Sequence, residues 1–279
     1  MKKTKVKALA KINLTLDVVG VEKGFHQLKT LVASIDLGDQ ITLSARQDKA
    51  VTLTCNGLDV GCDLESNNAY KTAKLFMQTF NVNGVDICLQ KNIPVGAGLG
   101  GSSADIAGVL VGMQKLYNVN APLCDLANAL GSDSAYMING GWAVLQGKGD
   151  IITPLSVNTK LYLLILSAQG QVSAGACYKA FDSQNIIYPS VTDKAVELLV
   201  KGDIKEFGKV IKNDLYPSAK QILPQIESNL NALKEFGDCV MTGSGSAVFG
   251  IYKSARARNN AYNQLVKRFG DKLIKAQTV

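Results

Sequence analysis

Hydrophobic and polar residues alternate near the start of the chain. Ile12, Leu14, Leu16 and Val18 share one face, and Asn13, Thr15 and Asp17 share the other. A period of two predicts a strand with one buried and one outward polar face. Short strand-like runs follow at Gln40–Ser44, Val51–Cys55 and Val85–Gln90. Between them, Ala69, Ala73, Leu75, Phe76 and Phe80 fall at helical spacing and predict a helix over 68–80. Ile106, Val109, Leu110, Met113 and Leu116 also keep a helical period and predict an amphipathic helix opening near Ser102. Leu123–Leu130 reads as a helix, Trp142–Gln146 as a strand, and the apolar run Leu161–Leu166 as a fully buried strand. Helices are predicted at Val191–Lys201, Asp203–Lys212 and Ile222–Phe236, and a basic helix from Ser254. Cys239–Met241 and Val248–Tyr252 read as strands around a glycine turn. Short strands mixed with runs of helices predict an α+β fold rather than a doubly wound α/β one. The softest boundary lies near Pro154–Thr159, dividing 1–155 from 156–279.

Composition narrows the function classes. With 279 residues, 47% hydrophobic and 19% charged, the chain can bury a large core and is not disordered as a whole. A single histidine, His26, excludes His-rich zinc sites and limits any Ser-His-Asp scheme to one imidazole. Cys55, Cys62, Cys88, Cys124, Cys177 and Cys239 form no Cys-x-x-Cys pair and are expected to be small buried hydrophobes in a reducing cytoplasm. Lys7, Lys11, Asn13 and Asp17 interrupt the N-terminal apolar residues, so no signal peptide is expected. No run approaches the ~20 apolar residues of a membrane span. The expectation is a soluble cytoplasmic protein. Lys and Arg exceed Asp and Glu by 30 to 23, a net charge of +7. The basic residues are dispersed, and Lys2–Lys5 and Arg256–Arg258 read as solvated surface.

The sharpest chemical signal is the run Pro94, Val95, Gly96, Ala97, Gly98, Leu99, Gly100, Gly101, Ser102, Ser103. It follows a strand and opens a helix. Glycines allow backbone N–H groups to turn outward, and a helix N-terminus adds unpaired donors, so the run suits a phosphate. The alternative is a tight turn with Ser102 or Ser103 as an N-cap. No Lys follows the glycines as a Walker loop requires. Gly96, Gly98 and Gly101 fit G-x-G-x-x-G, but the region ~20 residues on, Asn120–Cys124, lacks the acidic residue of a dinucleotide fold, and Asp125 lies in a helix.

The glycine run is similar to the phosphate loop of the GHMP small-molecule kinases, the superfamily of galactokinase, homoserine kinase, mevalonate kinase and phosphomevalonate kinase. Other blocks narrow the resemblance: Ala10-Lys-Ile-Asn-Leu14, Gly24-Phe-His-Gln-Leu28, Ser34-Ile-Asp-Leu-Gly-Asp39 and Asn67-Asn-Ala-Tyr-Lys-Thr-Ala73. Gly131-Ser-Asp133, Gly140-Gly141, Gly147–Leu155, Asn213-Asp-Leu215 and Thr242-Gly-Ser-Gly-Ser246 follow in order. Together they resemble the 4-diphosphocytidyl-2-C-methyl-D-erythritol kinases, over residues 8–252. Three positions depart from the pattern: Phe25 for a usual Tyr, Ser102 for a common third glycine, and Ser246 for a frequent proline.

The resemblance implies a two-lobed fold, with an N-terminal ribosomal-protein-S5-like β-α lobe and a C-terminal ferredoxin-like α/β lobe. It implies transfer of phosphate from ATP, with Mg²⁺, to the 2-hydroxyl of 4-diphosphocytidyl-2-C-methyl-D-erythritol in non-mevalonate isoprenoid biosynthesis. Asp133 becomes the catalytic acidic residue and Lys11 its partner. Asn67 and Pro94–Ser103, including Gly96, Ala97, Gly98, Leu99, Gly100, Gly101, Ser102 and Ser103, become ATP contacts. Asn13, Phe25, His26, Tyr178, Gly243 and Ser244 become substrate contacts, with His26 reading the cytosine edge. Residue by residue, plainer roles compete: Lys11 as a surface lysine, Asp133 and Asn67 as helix caps, and Tyr178 as a core residue. Asp17 could meet the erythritol hydroxyls. The sequence does not identify the protein ligands of Mg²⁺; Ser103 is a candidate, with water for most of the shell. The partner is expected to be a small molecule, with no nucleic acid and no membrane, in a monomer or homodimer. Three rival readings stay open: another kinase of the superfamily, a non-catalytic paralogue, and a nucleic-acid binder on the same fold.

Overall fold

A computed structural model describes residues 2–58, 63–184, 186 and 188–279. In chain order the elements are β1 (Lys3–Asn13), β2 (Asp17–Glu22), β3 (Phe25–Ala45), β4 (Val51–Gly57), α1 (Asn68–Phe80), β5 (Val85–Lys91), α2 (Gly101–Tyr117), α3 (Leu123–Leu130) and α4 (Ser134–Asn139). Then come β6 (Trp142–Gly147), β7 (Ile151–Leu155), β8 (Tyr162–Leu166), α5 (Ala174–Asp182), α6 (Thr192–Val200), α7 (Ile204–Val210), α8 (Tyr216–Ile222) and α9 (Gln225–Lys234). β9 (Cys239–Met241), β10 (Val248–Tyr252), α10 (Ala255–Phe269) and β11 (Leu273–Gln277) complete the chain. The fold is α+β, as the pattern predicts. It divides into two compact units that are interleaved in sequence: Met1–Ala10, Leu37–Val95 and Gly100–Gly140 in one, and Lys11–Asp36, Gly96–Leu99 and Gly141–Val279 in the other.

In the first unit, β4 runs parallel to β5 with Val51 opposite Val85, and β5 runs antiparallel to the second half of β3 with Gln40 opposite Gln90. β5 alternates buried and partly exposed positions along Val85–Lys91, because one face lies on the helices. α1 opens on Asn67, whose side-chain oxygen accepts the Ala69 N–H at 2.9 Å, and closes at Asn81 in the left-handed region. α2 is not the one-sided helix that its periodicity predicts. Asp105, Gly108 and Gly112 are buried along with its apolar stripe. The two glycines explain this: Cβ atoms there would lie 2.6 Å from Ile41 and 2.5 Å from Leu43, so the helix sits directly on β3. Its N-cap is Gly100, at φ +72°, and neither Ser102 nor Ser103 caps it.

In the second unit, β2 and the first half of β3 form a hairpin, with Asp17 opposite Lys29 and Glu22 opposite Phe25. Lys23 and Gly24, both at positive φ, make its two-residue turn. His26 therefore lies in β3, opposite Val21. β6 pairs with the first half of β3 and β7 with β6. A second, wholly antiparallel sheet has the order β11-β8-β10-β9. Leu164, Leu166 and Val248 of that sheet share a core with Leu215, which precedes α8, and with Ile226, Leu233 and Leu265 from α9 and α10.

Other expectations are corrected. Asn13, Thr15 and Asp17 do not face outward; each is buried and hydrogen-bonded. The helix expected over Ile222–Phe236 is the shorter α9, Gln225–Lys234; Ile222 instead ends α8, and Leu223-Pro224 parts the two because proline lacks an N–H to continue a helix. The last residues form β11 rather than extending the basic helix. Cys55, Cys88 and Cys124 are exposed, whereas Cys177 is buried as expected, and Cys62 lies outside the described residues. Arg258 is only half solvated, since its guanidinium lies over the Tyr162 ring and donates to Ala276 O. Among the described residues no helix is long and apolar enough to cross a membrane.

Candidate active site

Lys11 lies two residues before the end of β1 and is 5% exposed, so the surface-lysine reading fails. Its backbone N–H donates to Leu99 O at 3.0 Å, which fixes the strand to the glycine run. Its ammonium donates to Asn13 Oδ1 at 2.6 Å. Asn13 Oδ1 also receives the Gly243 N–H at 3.1 Å, and Asn13 Nδ2 donates to Thr30 Oγ1 at 2.9 Å. One amide thus positions the lysine head and a second glycine turn together.

That second turn, Gly243-Ser-Gly245, packs backbone to backbone on the first. A Cβ at Gly98 would lie 2.2 Å from Thr242 O and 3.0 Å from Gly245 O. A Cβ at Gly243 would lie 3.1 Å from Gly98 Cα. Gly96, Gly98, Gly243 and Gly245 all have φ between +57° and +87°, the left-handed region where side chains are strained. The Ala247 N–H donates to Ala97 O at 3.1 Å, and Thr242 Oγ1 lies 3.1 Å from Gly98 O. Asn213 Nδ2 donates to both Met241 O and Gly243 O. Ala97 and Leu99 point their side chains inward and serve through their carbonyls. Ser244 and Ser246 donate to Val172 O and Gly170 O, so both lie against the segment that precedes α5.

His26 Nε2 lies 2.7 Å from Asp182 Oδ1. The His26 ring stacks on Tyr178 with centroids 4.5 Å apart, and Phe181 meets it edge-on. α5 carries all three partners, because residues 178, 181 and 182 share one helical face. Asp182 itself was not singled out in the sequence. Phe25 projects into solvent, 57% exposed, with the Lys148 ammonium 4.8 Å from its ring centre.

Asp17 does not reach outward. Its Oδ2 accepts from Ser190 Oγ and from the Val191 and Thr192 N–H groups, which fixes the start of α6. Burial raises its pKa, but the hydrogen bonds from Ser190 and Thr192, with Lys212 nearby, outweigh it and hold the carboxyl below its usual range.

In the first unit, Asn67 is buried and caps α1, so the plainer role read for it is real. Asn68 donates from Nδ2 to Ser102 Oγ, which gives the serine at the expected third-glycine position a partner. Asp133 stands at the N-cap position of α4, but its side chain makes no capping bond there. A Cβ at Gly131 would lie 3.3 Å from Ser103 Oγ, so the Asp133 turn packs on the first turn of α2. Lys91, Asp39 and Asp105, to which the sequence assigned no role, form a buried ionic cluster at the foot of the glycine run.

Two family models match the chain: "GHMP kinases N terminal domain" over residues 67–145 and "GHMP kinases C terminal" over 195–272. A 4-diphosphocytidyl-2-C-methyl-D-erythritol kinase of Clostridium botulinum strain Eklund 17B is 36% identical over 277 residues, covering 96% of this chain and 98% of that protein. One of Clostridium beijerinckii is 37% identical, covering 97% and 98%. The crystal structure of a 4-(cytidine 5'-diphospho)-2C-methyl-D-erythritol kinase superposes with a TM-score of 0.84 at 28% identity, covering 98% of each chain. Similarity of this extent, along nearly the whole of both chains, makes the protein a member of the GHMP kinase family, in its 4-diphosphocytidyl-2-C-methyl-D-erythritol kinase branch.

Proposed function

We propose that the protein transfers the terminal phosphoryl group of ATP to the 2-hydroxyl of 4-diphosphocytidyl-2-C-methyl-D-erythritol. The observation that carries this reading is the buried Lys11. Its backbone is tied to Leu99 of the glycine run, and its ammonium is aimed by Asn13. Phosphoryl transfer requires charge neutralisation and alignment more than covalent chemistry. A buried, pre-oriented ammonium supplies the first, because a positive charge stabilises a phosphoryl group most where water is excluded. The outward N–H groups of the left-handed glycines suit the phosphate chain.

Asp133 would orient the attacking hydroxyl and accept its proton. A weak base suffices, because in a loose transition state the hydroxyl gives up its proton late. Among the described residues no group of three or more His, Cys, Asp or Glu side chains is arranged to hold a metal ion. Ser103, at the start of α2, would help to hold Mg²⁺ with water, and the ion would supply neutralisation of phosphate charge.

A carboxylate can only accept, so Asp182 fixes the proton of a neutral His26 on Nε2 and leaves Nδ1 as an acceptor. That acceptor matches the N4 amino group of cytosine. Phe25 offers apolar contact beside it. The +7 charge favours two anionic substrates.

The test is ADP release with ATP, Mg²⁺ and a panel of acceptors: the cytidylyl ester, homoserine, mevalonate and a hexose. Turnover with the cytidylyl ester alone supports the reading. No ADP with that acceptor overturns it.

A further inference from the structure

The two ends of the glycine run are joined by an ionic cluster that the proposed reaction does not use. Lys91, the last residue of β5, donates through its ammonium to Asp39 Oδ2 on β3 and to Asp105 Oδ2 on α2, the latter at 2.6 Å. All three side chains are at most 8% exposed. Asp39 Oδ1 receives the N–H groups of Asn92 at 2.5 Å and Ile93 at 2.9 Å, the residues that lead into the run. Asp105 lies in the second turn of α2, the helix that leaves it. A Cβ on Gly101 would meet Ile93 Cγ2 at 3.1 Å and Lys91 Nζ at 3.7 Å, so the two ends touch at this point.

The charge of the cluster does not balance by itself. One ammonium faces two carboxylates, and burying an uncompensated charge is costly. One additional proton, shared between the carboxyl groups, makes the cluster neutral. The charges that act on Lys91 and Asp105 are those of the cluster itself. On the elements packed against α2, Lys3, Lys5 and Lys7 of β1, Lys71 and Lys74 of α1 and Asp125 of α3 are exposed, and α4 has no charged residue after the partly exposed Asp133.

We propose that Lys91, Asp39 and Asp105 are positioning residues for ATP: a proton-holding staple that sets the separation between the two ends of the glycine run. This rests on the kinase reading of the run. Ionisation of the second carboxyl would leave a net negative charge at the foot of a loop that must receive a polyphosphate, and would loosen the staple. Burial, with Asp39 hydrogen-bonded beside it, raises Asp105 to about 7, and Lys91 only partly opposes this. Burial pulls the Lys91 ammonium down, but both carboxylates outweigh that and hold it above its usual range.

Asp105→Asn keeps the shape of the protonated acid and cannot ionise. The native enzyme is expected to show KM for ATP rising about tenfold from about pH 6 to about pH 8, with kcat changing far less, because the protonated fraction of a group with a pKa of about 7 falls by that factor between them. The variant is expected to keep the native KM of about pH 6 throughout. Infrared spectroscopy at neutral pH should show a buried carboxylic-acid carbonyl band in the native protein that is absent from the variant. Asp39→Asn, which also keeps one carboxylate, should likewise flatten the profile. A band that persists in Asp105→Asn, or a variant that retains the native alkaline limb, overturns the staple. Failure of any acceptor to yield ADP overturns the kinase reading instead, and the infrared band is read independently of turnover.

Discussion

The backbone N–H of Asn13 donates to the hydroxyl oxygen of Thr242 at 3.0 Å, although 229 residues separate them. The same hydroxyl lies 3.1 Å from Gly98 O and 3.2 Å from Asn13 Oδ1, so its one proton serves the glycine run or the amide that aims Lys11. Thr242→Val keeps the side-chain shape and removes both functions. It leaves a buried N–H without an acceptor, which costs about 1–3 kcal/mol. Denaturant unfolding should show that loss, and KM for ATP should rise. Thr242→Ser should restore both, and a valine variant as stable as native would refute the assignment.

Two glycines with nearly equal φ separate backbone strain from backbone crowding. Gly98 has φ +74° and Gly24 has φ +77°. Alanine at either pays the left-handed penalty, roughly 1–2 kcal/mol. Only Gly98→Ala also drives a methyl to 2.2 Å from Thr242 O, whereas nothing lies within 4 Å of a Cβ at Gly24. Calorimetric titration should find ATP binding lost in Gly98→Ala and retained within about twofold in Gly24→Ala, since only the former moves the N–H groups that meet phosphate.

Asp133→Asn keeps the backbone of the α4 N-cap, because the side chain makes no capping bond there. If the carboxylate takes the hydroxyl proton, kcat should fall about 10²–10⁴-fold with KM values nearly unchanged. Lys11→Met should also reduce kcat. Unchanged ADP release in Asp133→Asn would remove that residue from the mechanism.

His26→Ala should raise KM for the cytidylyl acceptor by about tenfold or more, the equivalent of one lost hydrogen bond of ~1.4 kcal/mol, while KM for ATP stays constant. Asp182→Ala should have a smaller effect in the same direction, because it frees the imidazole tautomer without removing the ring. Equal changes for both substrates would exclude a cytosine role.

Asp105 also predicts a trend in stability. Its folded value of about 7 stands above the ordinary carboxyl value. The folded state therefore holds a proton that the unfolded chain releases, and this contribution is full below about pH 4. It fades as pH rises through about 7. The stability of native protein relative to Asp105→Asn should accordingly fall from about pH 5 to pH 8. A difference independent of pH would show that Asp105 does not hold the proton.

Much of the fold was legible because the signals are local. The periodicity of residues 68–80, the apolar run ending at Leu166 and the glycine turn between β9 and β10 each correspond to the element found. The elements that were missed were short, such as α4, or lacked periodicity, such as β7. Alternation along Ile12–Val18 misled because it assigns polarity to solvent, and here the polar side chains meet other chain segments.

Residue types and their order along the chain determined the left-handed glycines and helix start of Pro94–Ser103 and the kinase family to which the blocks belong. Left-handed glycines and a helix start are properties of a contiguous segment, and a segment carries them wherever it is placed. Only the tertiary structure decided what Asn13, Thr242, Asp182 and the Lys91 cluster do. Each acts through a partner distant in sequence, and a hydrogen bond or a buried charge has meaning only once the chain has excluded water around both groups.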